Sequence, residues 1–316
     1  MTAASLAVPD GSRSQGLWAM AWRRLRRDRV GVVSLGLVVL FLALTLASAA
    51  GLVAANWGDE AGVSYAPPAF LGPERSTGVL PAAPARDPSA PPAPDDIAIE
   101  DPLGEVLEEI RRQLTGQAGT QAKAATLPFG ADKWGRDVVL KTIKGTETSL
   151  MVGLTAAVLA VFLGTIFGAF AGYFGGRADA LFNWLYNVFT SIPYLLLILA
   201  IAAVLDQKGS STVVLILGLT GWTGIFRLVR AEYIKHKGRE YVLAADAIGA
   251  SDSRRMFVHI LPNVSHVVLV QLSLHVVLFI KSEVILSFLG FGVGVDTVSW
   301  GSMLNEAQNE LLIGKW

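Results

Sequence analysis

Cysteine is absent from the sequence. Disulfides, thiolate metal ligands and cysteine nucleophiles are therefore excluded, although the absence does not identify the compartment. Charge is scarce: only 16% of the residues are Asp, Glu, Lys or Arg, against roughly a quarter in soluble domains. The formal net charge is +0, so no overall field points to nucleic acid or to acidic ligands. Histidine occurs only as His236, His259, His266 and His275. None makes an H-x-x-x-H pair, and His266 and His275 would face opposite sides of a helix, so no metal site is expected. The phosphate-cradling G-x-x-x-x-G-K-[ST] pattern is missing, as is the G-x-S-x-G nucleophile elbow. No clustered acid, base or metal-ligand set suggests an enzyme. The expectation is a chain with no catalytic residues and no cofactor of its own.

What the sequence does have is apolar length. Hydrophobic residues make up 52%, Gly occurs 32 times, and the mean hydropathy is +0.49. These are the marks of helices packed closely in lipid. A span needs about 20 mostly apolar residues. Residues 30–53, 151–174 and 180–205 qualify. Residues 212–226 form a shorter span with a weakly polar lead-in, and 264–280 continue past Lys281 and Glu283 toward Val295. Five spans are expected, in an all-α polytopic membrane bundle.

Arg23, Arg24, Arg26, Arg27 and Arg29 precede the first span. The positive-inside rule places them in the cytoplasm. Alternation then puts 227–263 on the same side, where Arg227, Arg230, Lys235, Lys237, Arg239, Arg254 and Arg255 satisfy the rule independently. Both basic clusters read as topology anchors against membrane lipid. Nucleic-acid binding would need a basic surface free of the bilayer. Ala47-Ser48-Ala49 resembles a signal-peptidase site, but the apolar run before it is long and continues through Val53, so a retained span is expected.

The organisation expected is a basic cytoplasmic N-terminus (1–29), a first transmembrane helix (30–53), a periplasmic loop (54–147) and a core (148–316) with a cytoplasmic loop at 227–263. Within the periplasmic loop, 67–94 are dense in Pro, Ala and Gly and read as an extended linker. Asp101-Pro102 opens a predicted helix with Leu103, Val106, Leu107, Ile110 and Leu114 on one face.

The loop 227–263 is the most informative stretch. Residues 239–248 suit a short helix and Gly249 a left-handed turn. Ser251 or Asp252 can cap a second helix, which Pro262 is expected to terminate. Small residues at Ala244, Ala245 and Ala247 leave a slim helix able to enter a partner's groove. An Ala pair is followed four residues on by Gly and then by a Leu-Pro pair: Ala245, Gly249, Leu261 and Pro262 match this order, which resembles the permease signature of bacterial ABC importers. Two positions depart from it, with Leu243 where a Glu often stands and His259 where an Ile is expected.

Residues 128–137 (PFGADKWGRD) resemble the segment that precedes the second span in the dipeptide, oligopeptide and nickel permeases, specifically their second, C-type subunit. Ser191-Ile192-Pro193 matches that family's "IP" element. Ser282-Glu283 through Ser287-Phe288-Leu289-Gly290 resembles its "EAALSFLG" stretch, and DRVGVVSLGLVVL fits its start. The resemblance covers about 13–53 and 127–303. It implies a type I ABC importer permease in the bacterial inner membrane, forming half of a pore for peptides, or for nickel or another small solute within the same family. It also implies a second, homologous permease subunit, two cytoplasmic ATPases carrying ATP and Mg2+, and a periplasmic solute-binding protein. The ATPase-coupling loop would use Glu240, Tyr241, Ala244, Ala245, Gly249, Ala250, Ser251, Asp252, Leu261 and Pro262. A sixth span, usual in the family, is not found before Trp316, which suggests an incomplete sequence.

Other residues carry open readings. Asn187 and Ser191 share a helix face one turn before Pro193, and either line a translocation path or bond across helices. Pro193 should kink its span. Glu283 and Lys281 are either functional, as charges in hydrocarbon are by default, or anchors at the outer interface. They are two apart, so they should not face each other. An ion-coupled secondary transporter is the alternative function. It would call for inverted repeats and midplane ionisable groups, and only this pair is a candidate.

Overall fold

A computed structural model describes residues 17–72, 123–294, 296–312 and 314. The predicted helix at 101–115 and the linker beyond residue 72 lie outside the described residues. Within them, the regular elements are helical: α1 (Leu17–Arg27), α2 (Arg29–Ala49), α3 (Val138–Phe174), α4 (Gly176–Thr190), α5 (Tyr194–Leu205), α6 (Ser210–Thr220), α7 (Thr223–Lys237), α8 (Glu240–Ala247), α9 (Asp252–Phe288) and α10 (Trp300–Leu312).

The apolar helices are dressed for lipid. In α2 the Asp28 carboxylate caps the Val30 N–H, and none of its most apolar stretch is buried by the rest of the chain. Val30 and Leu46 are 74% and 70% exposed. In water such a surface would be untenable; in hydrocarbon it is at home, because all its backbone polar groups are satisfied within the helix. Near its end Ser48 donates to Glu147 of α3 at 2.7 Å. Among the described residues, four helical segments are long and apolar enough to cross a membrane, or five if the bent α4–α5 pair is one crossing. This chain is a multi-pass membrane protein.

Helix α3 is the central post. Its 37 residues run about 55 Å at 1.5 Å per residue. Gly164, Gly168 and Gly172 recur one turn apart and face α7. A Cβ there would lie 2.6 Å from the Trp222 carbonyl oxygen, 2.8 Å from that of Phe226 and 2.5 Å from that of Arg230. The two backbones touch along a ridge of small residues, as membrane helices do when hydrophobic burial cannot drive their association. Ala156, Ala157 and Ala160 continue the small face against Val213 and Leu217 of α6 and Phe279 of α9.

Several boundaries differ from the sequence expectation. The stretch 180–205 is a break, not a kink: α4 and α5 meet at 83°, with Pro193 extended at φ −54°, ψ 131°. Proline disfavours helical geometry in the residue before it, and Ser191-Ile192 supply the turn. The short span at 212–226 belongs to a longer helical run, Ser210–Lys237. Its basic end stays helical because Arg230 pairs with Asp179 of α4 at 2.5 and 2.7 Å. Helix α3 starts at Val138, ten residues inside the expected loop, capped by the Asp137 carboxylate on Val139 N–H.

The linker reading fails over 67–72. Residues 61–69 lie along 124–135, with Val63 N–H on Ala124 O at 3.0 Å, Ala69 N–H on Leu127 O at 2.8 Å and Ala131 N–H on Ala66 O at 2.9 Å. Ala66, Leu127 and Ala131 form a small core. Proline content signalled extended chain but not the partner that pins it. Helix α10, expected as a loop, docks on α9 and the start of α3 by its polar side. Asn305 Nδ2 donates to Phe288 O at 2.6 Å. Lys141 of α3, 2% exposed, reaches Asp132 at 2.8 Å and Glu306 at 2.5 Å. Tyr65 hydrogen-bonds Glu310. These groups border a cavity of about 200 Å³ at the end of α3 opposite α8.

Candidate functional site: the loop bearing α8

Residues 238–262 form the site that the sequence singles out. Helix α8 begins after Arg239, which is extended at φ −79°, ψ 147°. Val242 and Ala245, three apart, turn inward and are buried, with Val242 in one cluster with Tyr233, Met256 and Ile260. Tyr233 holds that floor by donating to Met256 O at 3.1 Å. The other face is open: Tyr241 is 38%, Leu243 55% and Ile248 86% exposed, and Glu240, Ala244 and Ala247 are exposed beside them. Tyr241 hydrogen-bonds His236 Nδ1 at 2.8 Å, and partial burial pushes its phenol up from the ordinary value.

The turn that ends α8 is a Schellman motif. Gly249 N–H bonds Asp246 O at 2.8 Å and Ala250 N–H bonds Ala245 O at 2.9 Å, with Gly249 at φ +82°. This is the left-handed residue that such a cap requires. A Cβ at Gly249 would meet nothing within 4 Å, so the constraint is the backbone angle and not space. Ser251 is the cap of the next helix, its hydroxyl accepting from Arg254 N–H. Asp252 accepts from the Tyr173 hydroxyl at 2.8 Å.

Pro262 does not terminate this helix. It sits in the first turn of the 261–288 part of α9, after a π-helical segment, Arg255–Ile260. A proline removes one N–H and clashes with the carbonyl four residues back. The wider π register, with Leu261 N–H on Met256 O, lets the helix run through. Leu261 is half-buried and Pro262 exposed.

The residues considered for a path separate. Asn187, Ser191 and Pro193 are exposed around the α4–α5 break. The Ser191 hydroxyl donates to Val188 O of its own helix at 2.8 Å, not across to another. Glu283 is fully buried within the chain. It accepts from Ser149 at 2.8 Å and Ser287 at 2.7 Å. Those hydroxyls in turn accept from Trp300 N–H and Val293 N–H, so the carboxylate fastens the 289–300 connection to α3 and α9. Lys281 is exposed, and the pair does not meet, as its spacing requires. The sequence reading missed Tyr173 as a neighbour of the loop and took Lys237 and Arg255 as topology anchors only. Arg255, three residues after Asp252, was the available signal.

Two family models match parts of this chain. The family model for the binding-protein-dependent transport system inner membrane component matches residues 164–314, which include all of α8 and α9. The model for the N-terminal TM domain of oligopeptide transport permease C matches residues 16–68. Residues 164–314 of the chain belong to the binding-protein-dependent transport inner-membrane family. A dipeptide transport system permease protein of Bacillus subtilis is 38% identical over 207 residues, 66% of this chain and 64% of that protein. An oligopeptide transport system permease protein of the same organism is 37% identical over 188 residues, 60% and 61% of the two chains. One of Haemophilus influenzae is 34% identical over 188 residues, 60% of each. The chain thus matches somewhat less than two thirds of the length of these relatives. The family's match spans the Ala245–Gly249–Leu261–Pro262 register and the Ser282–Gly290 stretch, two of the motifs that carried the resemblance.

Proposed function

We propose that this family member is a non-catalytic permease subunit of an ATP-binding-cassette importer for peptides. It sits in the bacterial inner membrane with its N-terminus in the cytoplasm and forms half of the pore beside a second permease subunit. Two cytoplasmic ATPases, holding ATP and Mg2+, supply the energy, and an external solute-binding protein delivers cargo. The observation that carries this reading is α8: a slim, eight-residue helix fixed by a rigid turn and displaying Tyr241, Leu243 and Ile248 to solvent. An apolar face on a short helix is what enters a partner's groove. Movement of the ATPases would displace α8 and rock the helices between two pore states, which needs different contacts in each state. The names of the relatives support peptides as cargo. Asn187 and Ser191, on the exposed side of the α4–α5 break, are the candidates for the path, beside Pro193; Glu283 acts behind it.

The test is copurification with the importer's ATPase subunits. Ile248→Asp places a charge on the open face without touching the buried one. ATPase recovery should fall at least tenfold, since an unpaired charge in a dry contact costs several kcal/mol. Unchanged recovery and transport would refute α8 as the docking element.

A further inference from the structure

Tyr173, the last residue but one of α3, is 3% exposed. Its hydroxyl donates to Asp252 Oδ1 at 2.8 Å. The same oxygen accepts from Arg255 Nη2 at 2.6 Å, and Arg255 Nη1 pairs with Asp246 of α8. The Arg255 guanidinium lies 5.8 Å from the Tyr173 ring centroid. Lys237, the last residue of α7, lies 5.3 Å from the same centroid and donates to the Tyr173 carbonyl at 2.7 Å. One aromatic ring thus meets two cations, within the range where a cation is drawn to a ring. Through it the ends of α3 and α7 are joined to the head of α9 and to α8.

The backbone of α8 packs on α7 and on the π segment of α9. Its polar tie to α3 runs Asp246 to Arg255 to Asp252 to Tyr173. Helix α3 is the element against which α6, α7 and α9 pack, and its far end carries Lys141. A displacement applied at α8 and held by this chain of contacts would tilt α3 as a lever. We propose that Tyr173 is a positioning residue that passes movement of α8 into α3. This rests on the reading of α8 as the ATPase-docking helix.

The experiment uses the full importer, reconstituted with its partner subunits and binding protein, and reads peptide taken up per ATP hydrolysed. Tyr173→Phe keeps the ring and both cation contacts and deletes only the bond to Asp252. Copurification of the ATPases and the melting temperature should match the parent. Uptake per ATP should fall about five- to tenfold, the scale of one hydrogen bond in an equilibrium between two states. Asp252→Asn keeps an acceptor for the tyrosine and should fall less. A Tyr173→Phe importer with the parent's uptake per ATP overturns the proposal. So does one that loses stability and assembly together, because the tyrosine would then be part of the scaffold. If the parent chain itself fails to recover an ATPase, the docking reading falls first and the lever with it.

Discussion

At one end of α3, the turn and helix of 238–251 are built largely from neighbours close in sequence: Gly249 N–H caps Asp246 O, Ala250 N–H caps Ala245 O, and Ser251 caps Arg254. That end leaves Leu243 and Ile248 in the open. At the other end, segments far apart in the chain are fastened by charge. Lys141 holds Asp132 and Glu306, and Tyr65 reaches Glu310 across most of the sequence. The first end is a local structure with an unfilled apolar face, suited to an outside partner. The second is a closed clamp whose groups already satisfy one another. A region that must meet a partner keeps its own fold local, so that docking does not compete with folding.

Substitutions should separate the two ends cleanly. The largest effect expected is the loss of ATPase recovery in Ile248→Asp, with melting temperature unchanged. Lys141→Met should do the reverse. It strands the Asp132 carboxylate, whose side chain is 12% exposed, while Glu306, at 38%, can turn to water. Unpairing a buried ion costs 3–5 kcal/mol in a dry site, and the exposure of Glu306 reduces this to about 2–3 kcal/mol. The measurement is thermal unfolding in detergent, with ATPase recovery from the surviving protein near normal. If Lys141→Met melts like the parent, the clamp contributes nothing and the contrast collapses.

Two smaller effects sharpen the comparison. Gly249→Ala should cost about 1 kcal/mol of local stability through its positive φ, since there is room for the Cβ. Gly249→Asn, which accepts that angle more easily, should transport better than Gly249→Ala; equal defects would mean that something outside the chain crowds the turn. Acid should act on the clamp through Asp132. Burial pushes the Asp132 carboxyl up, but Lys141 and the Arg136 and Trp134 N–H groups outweigh it and hold it below its usual 3.8. A depressed carboxyl stabilises the fold above its unfolded value, and that contribution is lost as pH falls through the folded value. The melting-temperature gap between the parent and Asp132→Asn should therefore stay constant from neutral pH down to about 4 and narrow only below 3.8.

Orientation completes the set. A cysteine at Ser253, on the α8 side, should react in intact cells only with a membrane-permeant thiol reagent. One at Asp59 should react with an impermeant reagent once the outer membrane is opened. The reverse pattern would place the clamp, not α8, beside the ATPases.

By itself the sequence determined that the chain is helical and lies in a membrane, because apolar length and scarce charge leave no other way to satisfy the backbone. It also determined α8 and its left-handed turn at Gly249, since each depends on contacts within a few residues. Tertiary structure alone decided the rest. Pro262 ends a helix in local logic, yet a π segment carries α9 through it. Residues 67–72 look like linker until 124–131 lie beside them. The apolar residues Leu304 and Leu311 of α10 face outward, while its Glu306 turns to a lysine on another helix. Glu283 reads with Lys281 as a charged pair in a span, and only folding brings Ser149 to it from 134 positions away. In each case the deciding group is distant in the chain, and no local pattern can record its approach.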